Sequence, residues 1–324
     1  MNKLIVVTGG AGFIGSNIIR YLNDQGIWEI IVVDELGTDS KWQNLVGKKF
    51  IDIIDKSVLF DWLKGREGEI GSIIHMGACS DTTEINASYL LENNYRYSLK
   101  LAEYALNNEI RFIYASSAAT YGDGSLGFSD EHELLSELQP LNMYGYSKHL
   151  FDLWLLNQGV LNNVVGLKYF NVFGPNECHK GRMASVIKKF LPLAKNEGII
   201  HLFKSSDPEK FEDGGQKRDF IYVKDTARIT AKFLENKTNG IYNIGRGIPT
   251  EWNELAGAIF KTLGKETKIK YFEMPADLAG KYQNYTCADV SKLKNVLGVD
   301  AECQGLQESI FDYVVNHLIP EKKW

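Results

Sequence analysis

Tyr144 and Lys148 stand four residues apart in Tyr144-Gly145-Tyr146-Ser147-Lys148, so a helix here would carry both side chains on one face. A tyrosine hydroxyl ionises near pH ~10 and is a poor base in neutral water. A neighbouring ammonium favours the phenolate and brings it into use as a proton acceptor. Upstream, Ala115-Ser116-Ser117-Ala118-Ala119-Thr120-Tyr121-Gly122 follows the apolar run Phe112-Ile113-Tyr114. One hydroxyl of that cluster, which we take to be Ser117, would hydrogen-bond the reacting oxygen. The plain alternative is a surface pair on a helix, and the spacing by itself does not exclude it.

A second constellation gives that pair a setting. In Val7-Thr8-Gly9-Gly10-Ala11-Gly12-Phe13-Ile14-Gly15, Gly10, Gly12 and Gly15 fit G-x-G-x-x-G, and Gly9, Gly12 and Gly15 fit G-x-x-G-x-x-G. Glycine at these places allows a tight turn, close approach of a pyrophosphate and close helix–strand packing. The helix that follows presents free N–H groups and a partial positive charge to the phosphates. Asp34 lies nineteen residues beyond Gly15, at the end of Ile30-Ile31-Val32-Val33. A carboxylate there accepts a ribose 2′-OH and favours NAD, and Glu35 beside it opposes an added phosphate. Lys41 could instead meet the 2′-phosphate of NADP, so both cofactors stay open. The nicotinamide ring of either would add to Lys148 in favouring the Tyr144 phenolate.

The elements that must position these groups are legible as patterns. Leu4–Val7, Ile30–Val33, Ile73-Ile74 and Phe112–Tyr114 are apolar on consecutive positions, as expected of strands covered on both faces. Helical patterns over Phe13–Leu22 and Tyr89–Leu106 lie between them. The alternation predicts an α/β fold with a Rossmann-type, doubly wound parallel sheet. Beyond Phe173 the rhythm loosens, and Lys204–Gln216 reads as a surface loop with its proline, paired glycines and charges. Helices return over Glu251–Leu263 and Gln307–His317, with strands at Phe220–Val223 and Ile269–Phe272. We expect a dinucleotide-binding domain over 1–173 and a smaller, discontinuous C-terminal substrate lobe over 174–324, with residues 219–247 returning to the first domain.

A net charge of −5 over 324 residues argues against a nucleic-acid-binding surface. An anionic substrate then needs a local cation, and Arg218 beside Lys217 and Asp219 offers a bidentate guanidinium fork. The four cysteines (Cys79, Cys178, Cys287, Cys303) have no paired spacing and read as free thiols in a reducing compartment. No signal peptide precedes the first strand and no apolar run approaches a membrane span, so we expect a cytoplasmic protein without a membrane partner. His75 and Cys79 lack partners at metal-ligand spacing, and we read both as wall beside the cofactor, with no metal site expected. The remaining Trp and Phe residues read as core.

The glycine loop, Ser117, Tyr144 and Lys148 together resemble the extended short-chain dehydrogenase/reductase superfamily, which acts mostly on nucleotide sugars. Narrower segments are GGAGFIGSN from Gly9, HMGACSDTTE (His75–Glu84), NNYRYS (Asn93–Ser98), YASSAATYG (Tyr114–Gly122), NMYGYSK from Asn142, KYFNVFGPNECHKGRMASV (Lys168–Val186) and KRDFIYVKD (Lys217–Asp225). Over essentially the whole chain these are similar to the nucleotide-sugar epimerases acting at C6 of an ADP-linked heptose. The resemblance implies conversion of ADP-D-glycero-D-manno-heptose to ADP-L-glycero-D-manno-heptose through a transient ketone, with tightly held NADP. It also implies a homo-oligomer, a homopentamer by family pattern, and a role in lipopolysaccharide inner-core synthesis.

Carried over residue by residue, the resemblance places cofactor contacts at Phe13, Ile14, Asp34, Glu35, Lys41, Lys56, Met76, Gly77, Ala78, Cys79, Ser80, Asn93, Lys148, Val172 and Lys180. It places substrate contacts at Asn171, Arg182, Lys189, Phe203, Lys204, Ser205, Ser206, Arg218 and Tyr282. Glu35, Arg182 and Lys189 replace a neutral amide-type residue, a small hydroxyl and a histidine of the family pattern. An exocyclic stereocentre lets the ketone rotate about one C–C bond, out of reach of Tyr144, so a second acid/base is expected. Lys180 is the family's candidate, and its plain alternative is a phosphate-contacting lysine. Among rivals, a 4,6-dehydratase would carry an Asp-Glu pair where Ala118-Ala119-Thr120 stands. A UDP-hexose 4-epimerase is opposed by Cys79–Glu84 and His179–Val186, and a non-catalytic dinucleotide sensor would have no need of both Tyr144 and Lys148.

Overall fold

The computed structural model describes residues 3–275 and 283–324. Strands β1 (Leu4–Thr8), β2 (Ile30–Asp34), β3 (Asp52–Asp55), β4 (Ile70–His75), β5 (Arg111–Ser117) and β6 (Val165–Tyr169) pair in parallel in the order β6-β5-β4-β1-β2-β3. The chain winds outward from β1 to one side and from β4 to the other. This makes the β1/β4 boundary the switch point, where ligands of such sheets bind outside the carboxyl ends of the strands.

Consecutive apolar residues on a strand point to opposite faces, and each face has its own cover. Val7, Val32, Ile74 and Ile113 pack with Ile18, Ile19 and Leu22 of α1 (Phe13–Asp24). Val6, Ile31, Ile73 and Phe112 pack on the other side with Leu59 and Leu63 of α2 (Leu59–Leu63). Helix α3 (Ala87–Leu90) runs through a π-helical turn over Leu91–Arg96 into α4 (Tyr97–Asn107), whose Leu101, Ala102 and Ala105 join that second core. The expected Tyr89–Leu106 helix is thus present with an interruption that periodicity does not reveal. The interruption carries Asn93 and Asn94, and such turns frequently mark functional sites. Helix α5 (Met143–Asn157) lies on the same side, capped by Asn142, whose side-chain oxygen accepts from the Gly145 N–H (2.8 Å).

After β6 the chain builds a second lobe. Strands β7 (Asn171–Phe173) and β9 (Lys217–Tyr222) pair in parallel; β8 (Ile200–Phe203) stands apart, and α6 (Val186–Pro192) precedes it. The strand expected at Phe220–Val223 ends at Tyr222, because Val223 opens α7 (Val223–Glu235). Helix α7 packs beside α1, and β10 (Gly240–Ile244) extends the main sheet to seven strands beyond β6. Strand β11 (Pro249–Glu251) adds antiparallel to β9; α8 (Trp252–Thr262) follows, and β12 (Ile269–Phe272) pairs with β8. A third core, with Ile187, Leu191, Leu202, Phe220, Ile259 and Tyr313, reaches back to Phe13 at the start of α1 and so welds the lobes together. The helix expected over Gln307–His317 starts at Leu306 and becomes a π-helical turn after Phe311. Among the described residues no helix is long and apolar enough to cross a membrane.

Candidate active site

A cavity of about 700 Å³ lies at the β1/β4 switch point, between the main sheet and the second lobe. One end of it is the glycine loop. Gly9 adopts φ +64°, and a Cβ there would sit 2.7 Å from the Gly77 nitrogen after β4. A Cβ on Gly15 would meet the Gly9 carbonyl oxygen at 2.2 Å. The loop is therefore a cradle that only glycine can line, facing the free N–H groups at the start of α1. Gly10 is packed beneath it, against Val32 and Ile19, and does not line the cavity. These residues fit a dinucleotide pyrophosphate. Gly15→Ala should displace the loop and cost over ~10-fold in nucleotide affinity. The measurement is nucleotide released per protein chain on denaturation; wild-type stoichiometry in the variant would detach the loop from the nucleotide.

Beyond the loop, Asp34 is already engaged. Its carboxylate accepts from the Ala11 N–H (2.9 Å) and the Glu35 N–H (2.8 Å), and Lys41 Nζ lies 2.8 Å away. Lys56 pairs with Glu35 at 2.6 Å and donates to the Asn93 side-chain oxygen at 3.0 Å. Two carboxylates and two lysines thus meet where the adenosine ribose of a dinucleotide would lie. Met76, Gly77, Ala78, Cys79 and Ser80 line the adjoining wall, Cys79 pinned through its backbone by Asn94. His75 departs from the reading as wall. It is buried behind that segment between the hydroxyls of Thr8 (2.6 Å) and Ser98 (2.8 Å), and burial brings its pKa down to about 3.

The catalytic candidates meet at the far end of the same cavity. Ser117 is the last residue of β5, and Tyr144 and Lys148 lie one turn apart on α5. Gly145 permits their approach, since a Cβ there would stand 2.7 Å from the Ala119 carbonyl oxygen. Burial raises the Tyr144 pKa, and the hydrogen bond from Ser117 opposes that rise. Lys148 Nζ donates to the Ala115 carbonyl (2.9 Å), and burial brings its pKa down to about 8. The Tyr144 hydroxyl is thus held by Ser117, with the Lys148 amine, its pKa brought down by burial, a turn away.

The turn Cys178–Met183 contributes Lys180 to the lining of the same cavity, its Nζ 5.3 Å from the centre of the Phe13 ring. Burial lowers its pKa, opposed by Glu177. The turn is anchored at both ends by Glu177, which accepts from the Ser185 N–H and hydroxyl (2.5 Å each) and from the Tyr313 hydroxyl (2.7 Å). Asn171, Val172, Phe13 and Ile14 also line the cavity.

The other expected substrate contacts stand outside this wall. Arg182 reaches across the mouth to Asp81 (2.8 Å), joining the Lys180 turn to the segment after β4. Lys189 is exposed on α6; Phe203, Lys204, Ser205 and Ser206 continue from β8, with Lys204 paired to Glu273 (2.6 Å). Arg218 is buried on β9, its guanidinium 6.0 Å from the Trp252 ring. Tyr282 lies outside the described residues. Conversely, Asp81, Tyr89, Tyr169, His179 and Trp252 line the cavity without having been singled out. Trp252, read from sequence as core, faces the cavity because α8 begins where β11 leaves the second sheet, a placement that no local pattern encodes.

The family model described as NAD dependent epimerase/dehydratase matches residues 5–245. ADP-L-glycero-D-manno-heptose-6-epimerase of Nitratidesulfovibrio vulgaris is 46% identical over 318 residues, covering 97% of this chain and 98% of that protein. Among solved structures, the ADP-L-glycero-D-manno-heptose-6-epimerase of Helicobacter pylori superposes with a TM-score of 0.80 at 29% identity, covering 97% of this chain and 96% of the other. UDP-N-acetylglucosamine 4-epimerase of Methanobrevibacter ruminantium M1 superposes equally well, with a TM-score of 0.81 at 27% identity over 99% of both chains. Backbone similarity therefore does not separate the two reactions, whereas sequence identity favours the first.

Proposed function

Because the chain belongs to the NAD dependent epimerase/dehydratase family, we propose that it inverts C6 of the heptose in ADP-D-glycero-D-manno-heptose to give ADP-L-glycero-D-manno-heptose, a lipopolysaccharide inner-core precursor. What supports this reading is that two proton-handling groups line one cavity from separate segments, Tyr144 with Ser117 on α5 and β5 and Lys180 on the turn Cys178–Met183. The dinucleotide, when bound, supplies acceptance and return of hydride at C6 and is unchanged over the cycle. Tyr144 takes the proton of the C6 hydroxyl in one orientation of the side chain, with Ser117 holding the oxygen. Rotation about the exocyclic C–C bond then carries the carbonyl oxygen toward Lys180, which gives it a proton. A proton gained at one group and lost at the other is restored through solvent. An exchange at a ring carbon, as in 4-epimerases, needs no second donor.

We propose NADP as the cofactor. Asp34 has its two backbone donors and Lys41, while Glu35 has Lys56, so the pairing cancels the carboxylates' repulsion of a 2′-phosphate and leaves Lys41 and Lys56 beside it as N–H donors. Mass spectrometry of the nucleotide released from the purified protein checks this, and Lys41→Ala should raise the share of NAD. Only NAD from the wild type would reverse the assignment. The reaction is tested by incubating the protein with ADP-D-glycero-D-manno-heptose and with UDP-hexoses in deuterated buffer and resolving C6 and C4 configuration by NMR. Inversion at C4 of a UDP-hexose, without inversion at C6, would replace this reading with a 4-epimerase.

A further inference from the structure

Beneath the catalytic pair lies a second charged pair. Lys168 on β6 and Asp152 on α5 meet at 2.9 Å, both with no exposed side-chain surface. A buried ion pair is costly in isolation and persists only where its geometry and remaining hydrogen bonds are complete. These are complete. Asp152 accepts from the hydroxyls of Tyr114 (2.8 Å) and Ser116 (2.7 Å), and Lys168 donates also to the Thr120 hydroxyl (2.6 Å).

The connections run by hydrogen bonds to Ser117 and to the strand that holds Lys148, and along α5 toward Tyr144. Tyr114 and Ser116 flank Ala115, whose carbonyl accepts from Lys148. Thr120 donates to the Ser117 carbonyl (2.8 Å). Tyr144, Lys148 and Asp152 follow at intervals of four along one face of α5. The carboxylate therefore clamps the strand ending in Ser117 to the helix bearing Tyr144 and Lys148, and Lys168 ties the same carboxylate to the turn after Ser117.

We infer that Asp152 and Lys168 are positioning residues for this site: as a neutral pair they hold Ser117, Tyr144 and Lys148 in register and keep the charge of Lys148 from being disturbed by either partner alone. This rests on the reading of the chain as an epimerase using Tyr144 and Lys148. Asp152 on its own helix and Cys79 in the segment after β4 act on Lys148, and His75 on β4 feels its charge; Tyr144 stands a turn away on the same helix, and Lys168 lies behind Asp152. Burial lowers the Lys148 pKa to about 8, and Asp152 acts against that fall.

Removing one charge of the pair therefore exposes Lys148 to the other. Asp152→Asn leaves Lys168 uncompensated, disfavours the Lys148 ammonium, and should move the alkaline limb of kcat/KM down by roughly one pH unit. Lys168→Met leaves the carboxylate uncompensated and should move the limb up. A purely structural pair would lower activity in both variants without opposite displacements. Circular dichroism and nucleotide content show whether each variant folds. Where a charge-removing variant does not fold, Asp152→Glu serves: charge is kept and reach changed, so kcat should fall while the limb stays in place. Limbs that shift together or not at all, or a limb moved by Asp152→Glu, overturn the inference. A wild-type protein that inverts no C6 centre overturns instead the reading on which it rests.

Discussion

Tyr144→Phe is expected to lower kcat for epimerisation by about 10²–10⁴-fold, the usual loss on removing a general acid/base. Phenylalanine keeps the ring and removes only the hydroxyl that Ser117 holds, so folding and nucleotide content should match the wild type. The loss belongs to the bound-state chemistry, and KM should change little, because the hydroxyl acts on the reacting oxygen and not on the diphosphate. A variant that keeps more than about a tenth of the wild-type kcat would place the proton acceptor elsewhere. The phenol itself is shifted upward by burial with only Ser117 opposing, so the protein alone does not make it a strong base. Its ionisation depends on positive charge gathered around it, from Lys148 and from the nicotinamide ring when the dinucleotide is bound.

Lys180→Met should block epimerisation to a similar extent, about 10²-fold or more. Methionine keeps much of the stem volume against the Phe13 ring and removes the charge. The anchoring of the turn by Glu177, Ser185 and Tyr313 does not involve the Lys180 side chain, so the turn should hold its shape. A truncated ADP-sugar with an aldehyde in place of the C6 carbinol tests both groups at once, since its dismutation requires both an oxidation and a reduction. With one group serving each carbonyl orientation, either single variant should fail at dismutation as well as at epimerisation. Near-normal epimerisation by Lys180→Met would end the two-group mechanism and leave Tyr144 acting alone.

What the sequence determined by itself is what short-range pattern encodes. Consecutive apolar β-branched residues in Leu4–Val7 and Ile30–Val33 can be satisfied only by a sheet covered on both faces, and the main sheet is parallel throughout. Glycines at fixed offsets after a strand encode the cradle, because no side chain fits where Gly9 and Gly15 approach the backbone. A four-residue interval puts Tyr144 and Lys148 on one helical face whatever else the fold does. Tertiary structure decided everything that depends on which strand lies beside which. Asp152 and Lys168 carry no signal in the sequence and become a pair only when β5, β6 and α5 close around them and leave neither side chain exposed. Asp34, Glu35 and Lys41 leave the cofactor open in sequence, and the fold adds that Lys41 pairs with Asp34 and Lys56 with Glu35. Arg182, expected to contact substrate, pairs with Asp81, and Trp252, which packs against the third core, also lines the cavity. In each case the deciding term is the electrostatic or steric environment made by chain segments far apart in sequence, which residue type and spacing along one segment do not contain.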